Sequence, residues 1–158
     1  MRSVPTQQKP LVLIVDDYAD GREMVAEYLT FRGFPVLEAR DGDEAIALAR
    51  TMKPQIVLMD LQMPGIDGWE ATRVLKGDPE TQNIAIVALT AHALRREVEA
   101  AFRAGCDAVI PKPCDITGLG DALARMLEIG PKAFELAGLA PSHDPSRSKR
   151  ATKAVKVT

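Results

Sequence analysis

The chain has 158 residues, enough for one domain of ordinary size and too few for two. With 46% hydrophobic and 27% charged residues it has the composition of a folded globular protein, which excludes a wholly disordered chain. The formal charge of −2 is uneven: residues 1–129 hold 14 basic and 20 acidic side chains, whereas residues 130–158 hold six basic and two acidic, an acidic body with a basic end.

No apolar run approaches the roughly 20 residues that cross a bilayer. The stretch Leu11 to Val15 is too short for a signal-peptide core. A cytoplasmic location and no membrane partner are therefore expected. The two cysteines, Cys106 and Cys114, do not make a disulfide framework and read as small hydrophobes.

Residues 1–9 read as a disordered leader. Leu11 to Val15 is then a short continuous apolar run ended by Asp16 and Asp17, the pattern of a strand buried on both faces. Met24, Val25, Tyr28 and Leu29 follow at helical spacing, and Gly33 stops that helix. Pro35 to Ala39 is a second strand. Ala45, Ile46, Leu48 and Ala49 mark a second helix, closed by Pro54. Gln55 to Met59 is a third strand and runs into Asp60. After a loop with Pro64 and Gly65 comes a helix around Trp69 to Leu75, broken at Gly77-Asp78-Pro79.

Ile84 to Leu89 is the fourth strand and ends at Thr90. Leu94, Val98, Ala101, Phe102 and Gly105 describe an amphipathic helix with a glycine stop. Asp107 to Ile110 is a brief fifth strand, ended by Pro111-Lys112-Pro113. Ile116, Leu119, Leu123, Met126 and Leu127 make the last long helix, which stops near Gly130. Strict alternation predicts an α/β fold: a five-stranded parallel sheet, doubly wound as (βα)5 in the flavodoxin-like manner. Residues 10–129 form this domain. Residues 130–158 show no sustained period and read as a basic, mostly disordered tail, with a short helix around Phe134 to Leu139.

Open parallel sheets bind ligands beyond the carboxyl ends of their strands. Asp16-Asp17, Asp60, Thr90 and Lys112 all fall at such ends, far apart in sequence. Three carboxylates a few ångströms apart repel and need a cation between them. An all-oxygen donor set suits Mg²⁺. Lys112 adds a fixed positive charge and Thr90 a hydroxyl donor. Asp60 then has the setting of a carboxylate nucleophile in aspartyl-phosphate chemistry. Singly, each residue has an ordinary reading as a helix cap or a surface charge. Their joint placement does not.

These segments resemble the receiver domains of bacterial two-component response regulators. The matching pieces are LVLIVDDYAD (11–20), IVLMDLQMPGIDGWE (56–70), IVALTAHA (86–93) and AGCDAVIPKPCD (104–115). The resemblance implies that Asp60 is the phosphoacceptor. It implies Mg²⁺ held by Asp17 directly, by Asp16 mainly through water, by Asp60 and by the Gln62 backbone carbonyl. It makes Thr90 the switch hydroxyl and Lys112 the partner of the phosphoryl group, before a cis bond to Pro113. It also implies that the chain promotes its own phosphorylation and dephosphorylation without being a multiple-turnover enzyme.

Two positions depart from the family pattern or vary within it. Val109 stands where the usual switch aromatic would be, three residues before the lysine. Gln62 and His92 occupy the two positions that tune phosphoryl lifetime in this family. Only 29 residues follow Ile129, too few for an ordinary effector domain, so a stand-alone, chemotaxis-regulator-like receiver is expected. Its expected partners are a histidine kinase or a histidine phosphotransfer protein, a downstream protein target, and a second copy on phosphorylation. No Phe, Tyr or Trp follows Phe134 to stack on bases, so nucleic acid is not an expected partner of the basic tail. An aspartate phosphatase would need an acid at position 62, which is glutamine, and a flavin phosphate would be repelled by the acids. The alternative kept open is a pseudo-receiver, an interaction module that works without phosphate.

Overall fold

The computed structural model describes residues 8–112 and 115–139. Residues 1–7 of the leader expected over 1–9, the bond between Lys112 and Pro113, Cys114 and the tail beyond 139 lie outside the described residues. Five strands alternate with helices: β1 (Val12–Val15), α1 (Ala19–Phe31), β2 (Val36–Ala39), α2 (Gly42–Met52), β3 (Ile56–Asp60), α3 (Gly68–Gly77), β4 (Ala85–Thr90), α4 (Arg95–Ala104), β5 (Ala108–Pro111) and α5 (Ile116–Ile129). A short α6 (Lys132–Leu136) follows. All strand pairs are parallel, in the order β2-β1-β3-β4-β5.

The continuous apolar runs are explained by burial on both faces. Successive strand side chains point to opposite sides. Leu13, Val15, Val57, Met59, Ile86, Ala88 and Val109 pack on one side with α2, α3 and α4. Val12, Ile14, Ile56, Leu58, Val87, Leu89 and Ile110 pack on the other with α1, α5 and α6. Three of the helices, α2, α3 and α5, start where a short acid caps them. Asp41 accepts from the Glu44 N–H, Asp67 from Glu70 and Asp115 from Thr117. Gly105 ends α4 at φ 113°, a backbone angle that glycine takes without strain.

The edge on β5 is tied down by one acid. Asp107 Oδ2 accepts from Lys76 Nζ at 2.9 Å and from the Ile86 N–H at 2.8 Å, which joins α3, β4 and the entry to β5. Across the other face, Arg32 Nη2 meets Asp121 Oδ1 at 2.7 Å and joins α1 to α5. Asp121 and its neighbours hold the Arg32 guanidinium further above its usual range.

Three residues expected on apolar helix faces are in fact outside. Met24 is 55% exposed, Leu94 53% and Leu127 51%. Leu94 sits at the N-cap of α4, before the helix turns inward. The short helix expected around Phe134 to Leu139 begins two residues earlier, and it is not separate from the domain. Gly130 turns the chain at φ 69° and Pro131 opens α6. Phe134 is 0% exposed and belongs to the core shared with α5, so ordered packing continues to Leu139.

Candidate functional site

The parallel register assembles the site. Val15 lies opposite Met59, so Asp16 and Asp60 fall side by side where β1 and β3 end. Asp60 lies opposite Leu89, and Thr90 opposite Pro111. The Lys112 N–H donates to the Thr90 carbonyl at 2.7 Å and fixes the start of the turn after β5. Close approach of α3 completes the frame. A Cβ on Gly68 would overlap the Asp60 carbonyl oxygen and sit 2.7 Å from Leu61 Cα, so only glycine lets α3 begin there.

Carboxylate oxygens of Asp16, Asp17 and Asp60 all lie within 4.8 Å of one another. Asp16 and Asp60 are buried and Asp17 is exposed. Lys112 Nζ stands 3.2 Å from Asp16 Oδ2 and 3.8 Å from Asp60 Oδ1. The Gln62 N–H donates to Asp60 Oδ1 at 3.2 Å, and the Tyr18 N–H to Asp16 Oδ1 at 3.0 Å. Burial pushes the Asp60 carboxyl up to about 6. The Lys112 charge and the Gln62 N–H oppose that rise, while neighbouring Asp16 adds to it. A buried carboxylate beside two others, with one lysine, is short of positive charge. Three oxygen donors at this spacing fit a hard divalent cation such as Mg²⁺.

These groups line an open cleft of about 640 Å³ together with Gln62. Its outer lip is apolar, formed by Tyr18, Met24, Val25 and Ile116. Thr90 is placed differently from the other expected residues. It is 0% exposed, and its hydroxyl donates to the His92 carbonyl at 3.1 Å while accepting from the His92 N–H at 3.2 Å. In this state it holds the loop after β4. Val109 is buried against the α4 side of the sheet and leaves no aromatic ring to move.

Arg22 is the participant that sequence reasoning missed. Its Nη1 donates to the Asp16 carbonyl at 2.8 Å and its Nε pairs with Glu38 at 3.2 Å, so it braces the β1–α1 turn. One arginine six residues beyond an acid carries no motif that would single it out. Cys106 is buried, and burial pushes its thiol up to about 11, the mark of an inert packed cysteine.

The fold and the acid-lined edge define a doubly wound parallel α/β domain with a cation-ready carboxylate centre. The family model of the response regulator receiver domain matches residues 12–124. The chain belongs to that family. It is 35% identical over 105 residues to the polar-differentiation response regulator DivK of Brucella anthropi, covering 66% of this chain and 85% of that one. The signal receiver domain of a histidine kinase from Syntrophus aciditrophicus superposes with a TM-score of 0.69 at 30% identity, covering 75% of this chain and 89% of that one. The chemotaxis protein CheY4 of Vibrio cholerae superposes with a TM-score of 0.70 at 27% identity, covering 74% and 98%.

Proposed function

We propose that the protein is a response regulator that accepts a phosphoryl group on Asp60 in a Mg²⁺-dependent reaction and signals through changed partner binding. The observation that carries this is the buried Asp60 carboxylate within 4.8 Å of Asp16 and Asp17, with the Lys112 ammonium across the cleft. Asp16, Asp17, Asp60 and the Gln62 carbonyl would hold the cation. When bound, Mg²⁺ supplies positive charge to the phosphoryl oxygens and offsets the repulsion among the acids.

An Asp60 carboxylate oxygen attacks the phosphorus of a phosphohistidine on a kinase or phosphotransfer protein. The P–O bond forms as the P–N bond breaks, and the imidazole leaves with the electron pair. Lys112 turns from Asp16 toward the transferred group. Thr90 gives up its bond to the His92 carbonyl, worth about 1 kcal/mol, and donates to a phosphoryl oxygen. Releasing His92 shifts the loop that leads into α4, so the surface of α4, β5 and α5 changes its affinity for a downstream protein or a second copy. Water attack on phosphorus reverses the modification, at a rate that the family resemblance assigns to the positions of Gln62 and His92.

Val109 favours a second reading, a pseudo-receiver that binds partners without phosphate. Fluorine NMR with beryllofluoride and Mg²⁺ separates the two. The proposed function predicts a bound fluoride resonance that needs Mg²⁺ and is lost in Asp60→Asn. No bound resonance in the native chain would leave the pseudo-receiver.

A further inference from the structure

We propose that Trp69 and Glu97 form a hydrogen-bonded latch between α3 and α4. The Trp69 indole N–H donates to the Glu97 carboxylate when the loop after β4 moves, and the bond holds α4 in its moved position. The latch rests on the proposed function, because the phosphoryl group on Asp60 is what releases the loop.

The two groups are orphans in this structure. Trp69 Nε1 and Glu97 Oε2 are the buried side-chain polar atoms that lack a hydrogen-bond partner among the described residues. An indole N–H can only donate, and a carboxylate oxygen accepts. Burial without a partner is costly for each, so a state that pairs them is favoured over one that does not.

Helix register brings them level. All strands are parallel, so α3 and α4 run in one direction and both begin at the edge that carries Asp60. The two helices touch, and their far ends are matched. A Cβ on Gly105, just after α4, would sit 2.8 Å from Lys76 Cγ near the end of α3. Cys106 Sγ lies 3.8 Å from Thr72 Oγ1. Trp69, Thr72 and Lys76 are spaced i, i+3 and i+7, and so share the α3 face turned to α4. Glu97, Ala101 and Gly105 are spaced i, i+4 and i+8, and form the facing stripe of α4. From the contact of Lys76 with Gly105, Trp69 lies about 10 Å and Glu97 about 12 Å back toward the shared edge. The two side chains are therefore level to within about 2 Å, on helices whose axes pack about 8–10 Å apart. An indole and a glutamate chain together span that distance.

One partner is fixed and the other moves. Trp69 follows Gly68, whose N–H donates to the Leu61 carbonyl at 3.0 Å and whose backbone seats directly on Asp60. Trp69 thus stays with the phosphoacceptor strand. Glu97 lies in the first turn of α4, and its N–H donates at 2.9 Å to the carbonyl of Leu94, where the loop ends. Thr90 holds that loop through both the carbonyl and the N–H of His92. Ala93 of the loop packs on the same apolar cluster as Trp69, so the movement happens beside the indole. When Thr90 turns to a phosphoryl oxygen, Glu97 moves with the released loop and meets the indole N–H. A bond made only in the moved state shifts the population toward it.

The chain has one tryptophan, so its indole N–H gives a single NMR cross-peak. The full chain is compared with Glu97→Gln, which keeps an acceptor, and Glu97→Leu, which does not. Each is saturated with Mg²⁺ and beryllofluoride. Fluorine NMR reports occupancy at Asp60, and the indole peak reports the latch. Beryllofluoride should move the indole proton downfield in the native chain and in Glu97→Gln, and leave it in place in Glu97→Leu. It should also bind about five-fold or more weaker to Glu97→Leu and to Trp69→Phe, with no further loss in the double variant. An equal downfield shift in Glu97→Leu would overturn the latch and leave the phosphoacceptor reading standing. So would an unmoved indole in a native chain that holds beryllofluoride. No bound fluoride in the native chain would overturn that reading, and the latch with it.

Discussion

At the residue scale, Asp60 is held at a cost. Its carboxyl sits near 6 in the fold against 3.8 for the free side chain, chiefly through burial. Between these values the folded chain binds a proton that the unfolded chain has lost. The penalty is therefore absent below about pH 4, grows as pH rises, and is complete above about pH 6, where it is on the order of 2–3 kcal/mol. Asp60→Asn removes it. Urea unfolding of metal-free protein should show Asp60→Asn more stable than native at pH 7 and equal to it near pH 4. Lys112→Ala should do the opposite at pH 7, because it strips Asp16 and Asp60 of their cation. A loss of about 1–3 kcal/mol is expected, with Mg²⁺ recovering part of it. The acids and the lysine were legible in the sequence because each terminates an apolar run at the same edge. The direction of the Thr90 hydroxyl was not, since it depends on the loop geometry at His92.

At the element scale, the site depends on how closely α3 meets β3. Gly68→Ala forces a methyl group onto the Asp60 backbone, and should cost about 1–3 kcal/mol while displacing Asp60. Thermal unfolding would measure the first effect and beryllofluoride binding the second. α6 is the other element with a clear expectation. Phe134 is fully buried, so Phe134→Ala should cost about 3 kcal/mol, and urea unfolding checks it. β1, β3 and β4 could be read from sequence because burial on both faces makes each a bare apolar run, whereas the edge strand β2 carries the exposed Glu38. The packing of α6 could not, because five residues are too few to show a period and its anchor is one aromatic. Met24, Leu94 and Leu127 misled for a related reason. A helical apolar period says that a residue fits a face, not that another element covers it.

At the scale of the whole molecule, the acidic body gathers Asp16, Asp17 and Asp60 at one edge of the sheet. The (βα)5 order was readable from alternation alone, and the pairing order β2-β1-β3-β4-β5 places the ends of β1, β3, β4 and β5 beside one another. That neighbourhood turns five scattered residues into one centre. The central claim is that this centre takes a phosphoryl group. Intact mass after incubation with acetyl phosphate tests it most directly. One added phosphoryl group is predicted, present only with Mg²⁺ and lost in Asp60→Asn. Modification that persists in Asp60→Asn, or no modification together with no beryllofluoride binding, would contradict the account.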